Sequence, residues 1–182
     1  MEPLVKVTGI VAPFPKVNID TDQIVPSVEL VRVHSDGYAP SLFAGQRYVK
    51  GRDLDPDFLL NRPPFDGATI LVAGANFGCG SSREDAPKAL RAFGFRVVIA
   101  ESFGGIFFNN CFMNGVLPVE LPFERIVTDS NVAEGEAVME LTVDLEAQTV
   151  TVPTGEAIGF DCPTVQRRML LEGLDDIELT LQ

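Results

Sequence analysis

The stretch Asn76-Phe77-Gly78-Cys79-Gly80-Ser81-Ser82-Arg83-Glu84 constrains this chain most, because of what flanks it. Before it, Thr69-Ile70-Leu71-Val72-Ala73 is a short apolar, β-branched run, the pattern of a buried strand. After it, Asp85 to Phe93 places Ala86, Leu90 and Phe93 at helical spacing. Gly94 then supplies the residue that commonly closes a helix. The stretch therefore reads as a strand, a glycine turn and a helix start.

Two accounts of that junction stand side by side. In the first, Ser81 and Glu84 form a capping box, S-x-x-E, and Pro87 sits in the first helical turn, where proline is tolerated. In the second, the serines and Arg83 lie beside unpaired backbone N–H groups and the positive end of a helix dipole, a place to hold an anion. Gly78 and Gly80 let a ligand approach the main chain. Arg83 can grip a carboxylate with two prongs, and a serine hydroxyl there has its alkoxide stabilised. That combination suits proton abstraction beside a carboxylate. A nucleotide site fits poorly, because the third glycine of a dinucleotide fingerprint and the Gly-Lys-Ser/Thr of a P-loop are both lacking.

The same alternation continues down the chain. Arg96 to Ala100 reads as a strand, Phe103 to Asn114 as a helix closed by Gly115, and Leu117 to Leu121 as another strand. This β-α-β-α-β order predicts an α/β fold with a parallel core. Val138 to Val143, Thr149 to Val152 and Glu156 to Phe160 predict an additional antiparallel meander, and Thr164 to Leu171 a last helix stopped at Gly173. Val5 to Ala12 reads as a first strand broken off by Pro13 and Pro15. His34 to Pro64 reads as a long loop-rich region, of the kind that is usually functional or mobile. With 182 residues and no linker or repeat, one domain over 1–182 is expected.

Charge and cysteine usage exclude several classes. A net charge of −12 argues against nucleic acid or an anionic membrane as the main partner. No signal-peptide pattern opens the chain and no apolar run is of transmembrane length, so a soluble, cytoplasmic protein is expected. Cys79, Cys111 and Cys162 are far apart and form no C-x-x-C, so no iron–sulfur or zinc site is expected on this chain. Cys111 falls on a helix core face with Phe107 and reads as packing. The single histidine, His34, reads as a solvated loop residue. Asp20-Thr21-Asp22, two carboxylates framing a threonine, reads either as a local Asx-type turn or as an acidic group facing a site.

Taken together, these residues resemble the small subunits of the 3-isopropylmalate dehydratase family, within the aconitase superfamily. The resemblance runs end to end, through Asn18-Ile19-Asp20-Thr21-Asp22, Phe58 to Ala68 and the nine-residue serine stretch. It continues through Phe93 to Ala100, Leu117-Pro118-Val119 and Gly173-Leu174-Asp175-Asp176-Ile177. It implies an aconitase-type swivelling β/β/α domain. It also implies a separate large subunit carrying a 4Fe–4S cluster, and a hydro-lyase reaction that interconverts 2- and 3-isopropylmalate through isopropylmaleate in leucine biosynthesis. By that resemblance Ser81 is the base, Arg83 clamps a substrate carboxylate, Ser82 lends a hydrogen bond and Asp22 faces the same cleft. Leu30 and Val31, in the loop after Pro26, face the variable side group of the branched malate.

Three positions depart from the family pattern. Ala75 stands where a glutamate is usual, Asp85 where a histidine is usual, and Glu29 where an aromatic residue usually precedes the leucine. These bear on the substrate, since hydro-lyases acting on dimethylmaleate, citraconate or homoaconitate share the architecture. A swivelling domain that binds without catalysing is the alternative class.

Overall fold

Apolar runs become central strands when both of their faces can be covered, and several such runs lie side by side in this chain. A computed structural model describes residues 1–175; Asp176 and Ile177 of the family pattern lie outside the described residues. The chain opens with strand β1 (Lys6–Phe14), followed by the single turn α1 (Thr21–Ile24), helix α2 (Leu30–Asp36) and the single turn α3 (Ala44–Arg47). The central unit is β2 (Ile70–Ala73), α4 (Asp85–Phe93), β3 (Val97–Ala100), α5 (Gly105–Met113) and β4 (Leu117–Glu120). Two short turns, α6 (Phe123–Ile126) and α7 (Ser130–Ala133), lead to β5 (Glu140–Asp144), β6 (Thr149–Thr151), β7 (Ala157–Gly159) and α8 (Thr164–Glu172).

The seven strands among the described residues join one sheet, in the order β4-β3-β2-β1-β5-β6-β7. Strands β1 to β4 are mutually parallel, and β5 to β7 form the expected antiparallel meander. The two halves meet on β1, whose Lys6–Ile10 pairs with β5 while Val11–Phe14 pairs with β2. Burial follows the pairing. Every residue of β2 and β3 is buried, whereas β5 and β7 alternate between buried and more open positions.

Because successive strand residues point to opposite faces, the sheet divides the core in two. Val11, Ile70, Val72, Val97 and Ile99 pack on one side with Phe112, Leu141 and Leu170. Ala12, Leu71, Ala73, Val98 and Ala100 pack on the other with Ala86, Leu90, Phe77 and Phe107. Cys111 is fully buried in this second cluster, as its spacing predicts.

The first strand differs from the expectation of a break at Pro13. It runs through that residue, because beyond Ile10 the strand is no longer paired with β5 and a missing N–H is tolerated on the free side. A 3-10 turn, Ser27–Glu29, leads into α2, and His34 lies on that helix rather than in a loop. The long region after it is a chain of short helical turns pinned by Asn61. The Asn61 Oδ1 accepts from Arg47 Nε at 2.9 Å, and its Nδ2 donates to the Arg47 and Asp55 carbonyls at 2.8 Å each. No helix among the described residues is long and apolar enough to cross a membrane.

Candidate active site

The serine stretch leaves β2 and crosses the end of the sheet in a series of left-handed steps. Asn76, Gly78 and Gly80 have φ of 59°, 72° and 93°. Backbone pairing holds the turn on both sides. The Gly78 N–H donates to the Ile19 carbonyl at 2.7 Å, the Thr21 N–H to the Cys79 carbonyl at 2.9 Å, and the Phe77 N–H to the Ser102 carbonyl at 3.0 Å. Asn76 Nδ2 also donates to Asn18 Oδ1 at 2.9 Å, tying the two loops together. Only glycine fits at 78, since a Cβ there would lie 2.2 Å from the Phe107 ring.

The capping-box account of Ser81 is corrected by this path. Helix α4 begins at Asp85, and the residue before it is Glu84, with αR backbone angles and no side-chain cap. Ser81 lies too far upstream to cap the helix, because the glycine steps keep the chain non-helical through Arg83. The side chains of Ser81 and Ser82 are exposed instead. Among the described residues, no protein acceptor takes a hydrogen bond from the backbone N–H groups of Ser81 through Ala86. The junction therefore offers unpaired donors over a longer stretch than one helix terminus supplies.

Asp20-Thr21-Asp22 satisfies both of its readings. Asp20 caps α1, its carboxylate accepting from the Gln23 N–H at 2.7 Å. Asp22 accepts from the Ser27 N–H at 3.1 Å and from Arg83 Nη1 at 3.0 Å. Those contacts, the Ser27 N–H first and the guanidinium second, hold the Asp22 carboxyl below its ordinary value. The structure thus brings Asp22 and Arg83 together. Arg83 Nη1 also donates to the Val25 carbonyl at 2.9 Å, so both bonds leave from one nitrogen. The outer edge of the guanidinium, Nε and Nη2, makes no such bond among the described residues. Thr21, between the two carboxylates, is buried, and its hydroxyl donates to the Ser81 carbonyl at 2.9 Å. Sequence reasoning marks Thr21 only through its two acidic neighbours.

Leu30 and Val31 stand on α2 and diverge. Leu30 is half-buried against the second core cluster, while Val31 is 81% exposed. The departures from the family pattern frame this helix. Glu29, just before it, is buried and held by both oxygens, with Arg52 Nη1 and Nη2 donating at 2.9 and 2.8 Å. Arg52 in turn lies over the Tyr48 ring, 4.6 Å from its centroid. Just past the helix, Tyr38 donates its hydroxyl to Asp85 Oδ1 at 2.9 Å, which joins α2 to the first residue of α4. No local pattern announces either partner, because each lies more than twenty residues away.

Cavities of about 320 and 180 Å³ lie elsewhere in the fold, and no residue of the serine stretch lines either. Among the described residues, no group of three or more His, Cys, Asp or Glu side chains is placed to hold a metal ion. Burial raises the Cys111 thiol well above its ordinary value and pushes Cys162 to about 11, which suits neither to ligation as a thiolate.

A superfamily and then a family follow from comparison with known proteins. Residues 1–124 match the family model for the aconitase C-terminal domain, and residues 131–161 match LeuD_N. The 3-isopropylmalate dehydratase small subunit of Cupriavidus necator is 50% identical over 185 residues, covering 100% of this chain and 89% of its own. That of Dinoroseobacter shibae is 50% identical over 182 residues, covering 100% and 90%. A crystal structure of 3-isopropylmalate dehydratase from Methanocaldococcus jannaschii superposes with a TM-score of 0.72 at 26% identity, covering 97% of this chain and 93% of the other. The chain belongs to the family of 3-isopropylmalate dehydratase small subunits.

Proposed function

We propose that this chain is the small subunit of a hydro-lyase that interconverts 2- and 3-isopropylmalate by dehydration and rehydration, in leucine biosynthesis. One observation carries the reading: exposed Ser81 and Ser82 stand beside Arg83 and a run of unpaired backbone N–H groups. In this reading Ser81 takes the proton from the carbon next to a carboxylate. Serine is a weak base at its ordinary pKa, so its alkoxide needs the surrounding donors; each such donor contributes about 3 kcal/mol by analogy with oxyanion holes. Arg83 holds the substrate carboxylate with its outer edge, Asp22 fixes the other edge, and Ser82 adds a hydrogen bond. The exposed Val31 faces the isopropyl group, while Leu30 packs its helix onto the second core cluster. An apolar wall there accepts methyl groups and leaves a carboxylate unpaired, which disfavours a carboxylated analogue.

The site is open on this chain alone, and the proposed partner closes it. That partner is a large subunit carrying a 4Fe–4S cluster. The spacing of the three cysteines here supports placing the ligands elsewhere. When bound in the partner, the cluster supplies a Lewis acid for the departing hydroxyl.

The test is to reconstitute the chain with its cluster-loaded large subunit and measure isopropylmalate turnover. Ser81→Ala is expected to keep subunit binding and lose nearly all turnover, with Ser82→Ala milder. A near-normal kcat for Ser81→Ala removes the assignment.

A further inference from the structure

We propose that Thr21 is a positioning residue of this site: its buried hydroxyl fixes the peptide plane between Ser81 and Ser82 and so aims both serines. The inference rests on the reading of Ser81 as the base.

Thr21 is only 2% exposed, and a buried hydroxyl requires a partner. That partner is the Ser81 carbonyl, at 2.9 Å. Purely structural needs at this position are met without the hydroxyl. Capping of α1 falls to Asp20. The Thr21 N–H donates to the Cys79 carbonyl, and the Thr21 carbonyl accepts from the Val25 N–H, both at 2.9 Å. These backbone bonds tie residues 18–21 to the turn only as far as Cys79. The side chain reaches two residues further.

What lies between is Gly80, at φ of 93°, the position with the fewest steric limits in the turn. Without an anchor beyond it, the direction of the Ser81 peptide is set by nothing else in the described backbone. A trans peptide is planar, so its C=O and the next N–H point opposite ways. Drawing the Ser81 carbonyl inward to Thr21 therefore turns the Ser82 N–H outward, among the unpaired donors of the site. It also limits the rotation that would swing the Ser81 hydroxyl away.

The experiment compares Thr21→Val, which keeps the shape and removes the hydroxyl, with Thr21→Ser, which keeps the hydroxyl. Both are assembled with the cluster-loaded large subunit beside Ser81→Ala and the unaltered chain. Subunit co-elution and far-UV circular dichroism check assembly and folding. Thr21→Val is expected to lower kcat by about tenfold to a hundredfold, the scale of a displacement of about 1 Å. KM should stay nearly constant, since Arg83 is held by Asp22 and Val25. Thr21→Ser should restore most of kcat. If Thr21→Val fails to assemble, Thr21→Ala against Thr21→Ser carries the same comparison. A normal kcat in Thr21→Val beside an inactive Ser81→Ala overturns the role of Thr21 alone. A loss that Thr21→Ser does not repair overturns it as well, in favour of a packing effect. Undiminished turnover in Ser81→Ala overturns the Ser81 reading and this inference with it.

Discussion

Removing the guanidinium of Arg52 should destabilise this protein more than any other single change at an ion pair described above. The Glu29 side chain is 9% exposed and that of Arg52 28%, and the pair is bidentate. Deleting one partner of a fully buried pair costs about 3–5 kcal/mol, because the other charge is left without compensation. The partial exposure of Arg52 lets water reach the pair, so about 2–3 kcal/mol is expected for Arg52→Met. Part of this is lost contact with the Tyr48 ring, about 0.5–1 kcal/mol. Glu29→Leu leaves the Arg52 guanidinium without its carboxylate but partly open to water, 28% exposed, and should cost about 1–2 kcal/mol. The double change Glu29→Leu with Arg52→Met should return close to the parent, since apolar groups can replace a buried pair without loss. The assay is equilibrium urea unfolding of the four proteins, followed by circular dichroism, as a double-mutant cycle. In a parallel thermal melt, for a chain of this length, the Arg52→Met midpoint should fall by about 5–10 °C. Effects of the two single changes that add to within about 0.5 kcal/mol would refute the coupling, and with it the view that this pair anchors α2.

Other expected outcomes follow from the same geometry. Arg83→Lys should raise KM more than it lowers kcat, because lysine loses the two-pronged edge; equal KM and equal inhibition by dicarboxylates would contradict the clamp. Asp22 is held below its ordinary value of 3.8, so its contribution to stability is complete above that value and disappears as the pH falls through the depressed one. The advantage of the unaltered chain over Asp22→Asn should therefore be present at neutral pH and fade as the pH falls below the ordinary carboxylate value of 3.8, read from unfolding curves across pH. Gly78→Ala combines positive φ with a clash against the Phe107 ring and should cost about 2–5 kcal/mol; a change below about 1 kcal/mol in chemical denaturation would contradict the packing described.

Much of the central unit is legible from sequence for a physical reason. Strands covered on both faces, such as Ile70–Ala73 and Val97–Ala100, must be apolar throughout, and a glycine must close α4 at Gly94, where φ is 128°. The meander is legible because its strands alternate. What stays hidden depends on residues distant in sequence. Ser81 and Glu84 have the spacing of a capping box, and only the left-handed path through Gly78 and Gly80 shows that the helix starts later. Glu29 stands only as a departure from the family pattern until Arg52 is placed against it. Asp85 likewise stands only as a departure until Tyr38 is seen to donate to it. Asp22 and Arg83 are each singled out from sequence, but their mutual contact depends on β1 and β2 lying side by side.

That shared strand has a consequence for how the chain is made. The β2-to-β4 unit and the β5-to-β7 meander are each assembled from near neighbours in sequence. Strand β1 joins them, and its Lys6 end pairs with Asp144 in β5, far along the chain. During synthesis β1 emerges first and can dock on β2 early, but half of its length must wait for residues that follow much later. Until then Lys6–Ile10 presents an open edge, the kind of surface that pairs with other chains. Closure of this seam carries the largest sequence separation in the sheet and is expected to be the late, slow event on the ribosome.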